Sequence, residues 1–305
     1  MKYYEYEKWQ LDKYMGEYFI IITGPRWVGK SYFIKNFMEQ SSHNYIIIDA
    51  FKAWKEKNLW LHKAIVQDIR ESIQKKDPTG AVVSFKGVKA ENFHDFRSFL
   101  QSLEDETYVV LDHADYLRYA RGVDFREIAQ EWIDRRDNIH FIFVAKGTPA
   151  LLNYLGPSDP RSPLFMRYEK YVEVVELSPN ETKEFVQKLC PHLQQGFEVY
   201  RDIGGLRGYL KKFADVGCNK LELKKLLERE LKQEIRGKNT WNTLKVIAKY
   251  TRIKGYAHKS MIEKETGKPL DYLKDSIETL VNNGLIIRTS TRAYKTPKIL
   301  ARFLT

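Results

Sequence analysis

The chain has 305 residues, 43% of them hydrophobic, and a formal charge of +11, enough material for two or three globular domains with real cores. Its most apolar stretch, residues 18–22, falls far short of the roughly 18 residues that span a bilayer, and the opening MKYYEYEKWQ lacks the apolar segment of a secretory signal. Neither feature reads as a membrane span or a secretory signal, and a cytoplasmic protein is expected.

Strand-like runs rich in Ile, Val, Phe and Tyr fall at residues 18–23, 45–49, 108–112, 140–145 and 171–177. Amphipathic stretches such as 31–38, 59–75 and 125–135 separate them. This alternation predicts an α/β fold with a parallel sheet and helices on both faces. Residues 77–90, with Pro78, Gly80 and Gly87, read as a loop or small insertion.

Between the first run and the first helix lies Gly24-Pro25-Arg26-Trp27-Val28-Gly29-Lys30-Ser31, which fits GxxxxGK[ST] in the context that motif needs. Glycines let the loop turn its amides onto phosphates, a lysine neutralises the β and γ oxygens, and a hydroxyl ligates Mg²⁺. The expected ligands are therefore ATP and Mg²⁺, with Ser31 and Asp112 on the metal, since Asp112 ends the third strand-like run. The residue after Asp112 is His113. It is either a neutral imidazole able to take a proton, with Asp115 as a substitute, or a passive group in a site that hydrolyses slowly.

Ser178-Pro179-Asn180-Glu181 reads as a capping box opening a helical segment that runs to about residue 236, interrupted at Gly204-Gly205 and Gly217. Within it, Cys190 and Cys218 have neither CxxC spacing nor histidines at ligand distance, so buried thiols are expected rather than a disulfide or a zinc site. Gly237 then separates off a strongly basic tail. Residues 236–305 hold 15 Lys+Arg against 5 Asp+Glu, so nearly all of the +11 sits there. Helical patterns at 240–252, 259–265 and 269–284 followed by strand-like 285–288 and 293–296 give the order of a winged helix. The predicted domains are a core (1–177), a helical lid (178–236) and a basic winged-helix module (237–305).

Such a module places its third helix in the major groove and its wing on the backbone or minor groove. The third helix would expose Asp271, Tyr272, Lys274 and Asp275, a poor set for reading bases. Lys259, Lys268, Arg288, Arg292 and Lys295 are better suited to phosphates, so double-stranded DNA is expected through backbone contacts rather than sequence readout. The alternative is a module that contacts a protein.

Over roughly residues 18–290 the chain resembles the archaeal ATPase family within the AAA+ and STAND group of P-loop proteins. GPRWVGKS is similar to the family's GPRRVGKT loop, LDHAD to its hhDEaq strand end, and Gly204-Gly-Leu-Arg-Gly-Tyr-Leu210 to its GGiPxYL lid motif. Lys146-Gly147-Thr148 stands at the family's polar Gly-Ser, and Leu164-Phe-Met-Arg167 at its LyGR segment. The resemblance makes Arg167 the candidate to sense or stabilise the γ-phosphate. The sequence departs from the family in lacking an N-terminal Phe-x-x-Arg-Glu box and in carrying His113 for glutamate. It also has Arg207 for the lid proline, expected on a helix surface. The implied function is a slowly hydrolysing ATPase whose nucleotide state controls DNA binding or self-association, within replication or replicon maintenance as in archaeal initiators. The alternative is a STAND-type switch that recruits a protein.

Overall fold

The computed structural model describes residues 3–56, 61–75, 94–135, 138–145, 148–167, 169–193, 196–290 and 292–305. The expected insertion at 77–90 and the pair Lys146-Gly147 lie outside the described residues. The chain divides into two compact units: Met1–Gly24 with Lys30–Val174, and Pro25–Gly29 with Val175–Thr305. No helix among the described residues is long and apolar enough to cross a membrane.

The first unit is built on a five-stranded sheet of β1 (Phe19–Thr23), β2 (Asn44–Asp49), β3 (Thr107–Asp112), β4 (Ile139–Val144) and β5 (Lys170–Glu173), in the order β2-β3-β4-β1-β5. Every pairing is parallel. The interior strands β3 and β4 are buried at every position, whereas the edge strands β2 and β5 are not. Helices covering both faces leave no polar side for a central strand, so it reads as an unbroken apolar run. The unit also holds α1 (Glu5–Tyr14), α2 (Lys30–Gln40), α3 (Ala50–Glu56), α4 (Leu61–Lys75), α5 (Phe96–Gln101), α6 (Phe125–Arg135) and α7 (Thr148–Leu155). A 3₁₀ turn, Ala114–Tyr119, follows β3 directly. The fifth strand-like run yields a strand of only four residues, and from Val175 the chain belongs to the second unit.

The second unit contains α8 (Pro179–Leu189), α9 (Gly196–Ile203), α10 (Arg207–Asp215), α11 (Lys220–Glu234) and α12 (Lys238–Lys254). β6 (Ala257–His258), α13 (Lys259–Thr266), a 3₁₀ turn (Leu270–Leu273), α14 (Lys274–Asn282), β7 (Ile287–Ser290), β8 (Ala293–Lys295) and α15 (Lys298–Phe303) follow. Ser178 and Glu181 form the expected capping box. The three short strands make an antiparallel sheet in the order β6-β8-β7. Neither β6 nor α15 was legible in the sequence pattern, being two and six residues long.

The expected division between lid and basic tail at 236/237 is not a boundary between compact units. Asp202, at the end of α9, accepts from Arg302 of α15 at 2.9 Å and from Lys220 of α11 at 2.6 Å. One carboxylate thus joins the last helix of the chain to the lid. The cysteines also depart from expectation. Cys190 and Cys218 form a disulfide with a Cα–Cα distance of 6.2 Å, not two thiols. Cys190 caps the end of α8 and Cys218 follows α10, and the packing of these two helices brings together residues 28 apart in sequence.

Candidate functional site

Because β4 lies between β1 and β3 in the sheet, the carboxyl ends of β1 and β3 are about 10 Å apart at the usual strand spacing. The phosphate-loop motif leaves β1, and the first turn of α2 crosses this gap. Ser31 Oγ donates to Asp112 Oδ1 at 3.0 Å, so the hydroxyl and the carboxylate expected to share a metal are adjacent. Gly24 has a φ of +129°, and a Cβ there would stand 2.3 Å from Val174 O, so only glycine fits where the loop departs. Lys30 Nζ donates to Gly24 O at 2.9 Å and lies over the start of the loop.

Asp112 is buried, and burial raises its carboxyl above the usual range, with Asp49 adding to this against the opposing pull of His113 and Ser31. A carboxylate so placed favours a cation beside it. No group of three or more His, Cys, Asp or Glu able to hold a metal occurs among the described residues. The donor set, a hydroxyl and a carboxylate, would suit a hard ion such as Mg²⁺, which Ser31 and Asp112 would hold.

His113 takes a left-handed conformation with φ of 53°. Its Nδ1 lies 3.0 Å from Asp49 Oδ1 and 3.7 Å from Asp112 Oδ2. Burial opposes its charge, but the hydrogen bond to Asp49 and the charges of Asp112, Asp49 and Asp115 outweigh that and push it up to about 9. The expectation of a free neutral imidazole ready to take a proton is therefore corrected: the ring is paired with Asp49, which favours its protonated form. Asp115, the substitute, is itself buried.

Arg167 is also corrected. Its Nε and Nη2 donate to Asp134 Oδ1 and Oδ2 at 2.7 and 2.6 Å. Lys170 is in register with Ile20, so Arg167 falls near the amino end of β1. It lies roughly 20 Å along the strand direction from the carboxyl end where the loop departs. Within one chain Arg167 does not stand with Lys30 and Asp112. The LyGR-like spelling gave no hint of this, because direction in the sheet is a property of the register.

The loop residues Pro25–Gly29 cluster in the second unit. Arg26, only 9% exposed, donates from Nη1 and Nη2 to Glu234 Oε1 and Oε2 at 2.9 and 2.7 Å and from Nη1 to Asn283 O at 3.2 Å. Trp27, at φ of 67°, packs its ring on Tyr209 and lies under Lys212 Nζ at 4.6 Å. Gly208 donates its amide to Trp27 O at 2.7 Å, and a Cβ at Gly208 would meet that oxygen at 2.9 Å. Arg207 is buried, not on a helix surface, and its Nη1 donates to Val28 O at 3.2 Å and Val175 O at 2.7 Å. Two arginines, one expected in the nucleotide-binding loop and one on a helix surface, thus hold the loop through their side chains.

In the C-terminal part, Arg288, Arg292 and Lys295 are exposed on the hairpin, and Lys259 N donates to Arg292 O at 2.9 Å, bringing that pair together. Lys268 is engaged with Asn239 at 2.8 Å and lies over Tyr272. Lys274 is exposed at the start of α14 among exposed Asp271, Asp275 and Glu278.

The sheet order, the loop after β1 and the acid ending β3 define a P-loop ATPase fold. In line with this, the chain is similar to the Walker-type ATPase PABY2304 of Pyrococcus abyssi, with 20% identity over 99% of this chain and 95% of that one and a TM-score of 0.79. The ORC2 protein of Aeropyrum pernix (14% identity, 99% and 93% covered, TM-score 0.44) is a more distant match. So is the RuvB Holliday junction branch migration motor of Thermotoga maritima (14%, 97% and 91%, 0.45). No protein-family model matches the sequence, and no curated protein matches it significantly.

Proposed function

We propose that this protein binds ATP with Mg²⁺ on residues Gly24 to Ser31, hydrolyses it slowly, and uses its nucleotide state to control DNA binding by the C-terminal module. The module acts as a winged helix, with Arg288, Arg292, Lys295 and Lys259 on duplex phosphates and Lys268 and Lys274 at the margin. The three-part division into core (1–177), lid (178–236) and module (237–305) is the functional one. Self-association of the nucleotide-bound form belongs to the same reading. Slow turnover follows from the position after Asp112, where a histidine ring held by Asp49 stands in place of a carboxylate.

The observation that carries this reading is Arg26. A residue of the phosphate loop is bound at once to Glu234, the last residue of α11, and to the carbonyl of Asn283, just past α14. A phosphate that reshapes the loop must move this guanidinium or strain its three bonds, and either result reaches the helix that precedes the wing.

The test is DNA binding by the whole chain without nucleotide, with ADP and with a non-hydrolysable ATP analogue. We expect the nucleotide to change the affinity and Arg26→Ala to abolish that dependence. About six phosphate contacts give a slope near −5 in log K against log salt. Equal affinity in all three states, with wild-type Arg26, refutes the control. The acidic exposed face of α14 favours a second reading, a STAND-type switch contacting a protein, for which no such salt slope exists. Lys30→Ala should remove ATP binding in calorimetry while leaving DNA affinity without nucleotide intact.

A further inference from the structure

A second surface in the first unit has chemistry that nucleotide binding leaves unused. Four aromatic residues, Phe51 and Trp54 on α3 and Tyr116 and Tyr119 on the 3₁₀ turn after β3, are spaced three apart on their elements, so each pair lies on one face. Their rings form a chain: Phe51 is 4.9 Å from Tyr116, Tyr116 is 5.4 Å from Trp54, and Trp54 is 6.0 Å from Tyr119. At its inner end Phe51 lies 5.7 Å from the His113 ring. At its outer end Trp54 is 48% and Tyr119 46% exposed. Arg118 places its guanidinium 4.8 Å over the Tyr119 ring and donates to the Tyr119 hydroxyl at 2.8 Å.

Asp112 and Asp115 are buried, Asp49, with its side chain 39% exposed, is bonded to His113, and Lys52, Arg118 and Arg121 are exposed. The exposed rings are thus accompanied by cations on the same stretches of chain. We infer that this strip binds single-stranded nucleic acid, with unpaired bases stacking on Trp54 and Tyr119 and the backbone held by Lys52, Arg118 and Arg121. Base faces are sequestered in a duplex but free in a single strand, and half-exposed rings beside a guanidinium are the pairing that single-strand grooves use. A purely apolar partner would leave those three cations unmatched, while a polyanion of aromatic bases matches both components. The strip belongs to the first unit and shares no residue with the basic C-terminal module, so this inference stands or falls apart from duplex binding there.

The test uses the full-length protein and fluorescein-labelled oligothymidylate, with a labelled duplex in parallel, at a salt concentration high enough to weaken backbone contacts while stacking persists. We expect the Trp54→Ala/Tyr119→Ala double variant to lose roughly 30-fold or more in affinity for oligothymidylate. Trp54→Phe/Tyr119→Phe, which keeps two stacking rings, should hold most of it, and duplex affinity should be unchanged in both. The inference is overturned if the wild type does not bind oligothymidylate, or if the alanine variant binds it as well as the wild type does. It is also overturned if duplex and single-strand binding fall together, or if the alanine variant changes only the sedimentation behaviour, which would make the strip a protein interface.

Discussion

Replacing Arg26 by alanine should loosen the end of α14 without touching any residue of that helix. The guanidinium makes two charge-assisted bonds to Glu234, at 2.9 and 2.7 Å, and a third at 3.2 Å to Asn283 O. Arg26 is 9% exposed and Glu234 21%. Breaking one partner of a buried pair costs about 3–5 kcal/mol, and the partial exposure of Glu234 puts this pair at the lower end, near 3 kcal/mol. The amides of Gly284, Leu285 and Ile286, which bond back to Val281 and Leu280, report the opening. Their hydrogen exchange should accelerate roughly 150-fold, since about 1.4 kcal/mol is a factor of ten. Glu234→Ala should give a similar effect, and the double variant should be far less than additive. An acceleration below about threefold, or additive single effects, would refute the idea that the loop holds this region.

Three further outcomes follow from the second unit. Removing the disulfide with Cys190→Ser/Cys218→Ser frees a loop spanning 28 residues. This should destabilise the unit by about 3.5 kcal/mol in the chain-entropy picture, so oxidised wild type should unfold at clearly higher urea than the variant or the reduced protein, and coincident curves would count against it. Asp202 is held down at about 2 because the bonds from Lys220 and Arg302 outweigh burial, which alone would raise it. A depressed carboxyl contributes stability that is present above its ordinary value and lost as pH falls through the folded one. The gap between wild type and Asp202→Asn should be about 2 kcal/mol at neutral pH and close between roughly pH 4 and 2, and a gap constant with pH would show that the charge is not the cause. Gly208→Ala should cost about 1–3 kcal/mol and disturb nucleotide binding, because the new methyl meets Trp27 O and Cε3, each at 2.9 Å. Wild-type stability and nucleotide affinity in that variant would mean the loop gives way freely.

The sequence by itself determined the parts of this protein that depend on neighbours along the chain. The first four strand runs, the turn chemistry of Gly24 to Ser31, the acid closing β3 and the capping box at Ser178 are all local patterns, and each lies within a residue of where its pattern predicts. Only the tertiary structure decided what depends on which distant segments meet. Parallel register sends Arg167 to the amino end of β1, and the bond to Asp49 with the nearby charges of Asp112 and Asp115 raises the pKa of His113 against the effect of burial. The packing of α8 with α10 joins Cys190 to Cys218, and Arg26 of the loop reaches Glu234 and Asn283, more than 200 residues away. Such pairings follow from the packing of whole helices, whose free energy is spread over many side chains, so no single stretch of sequence carries their signature.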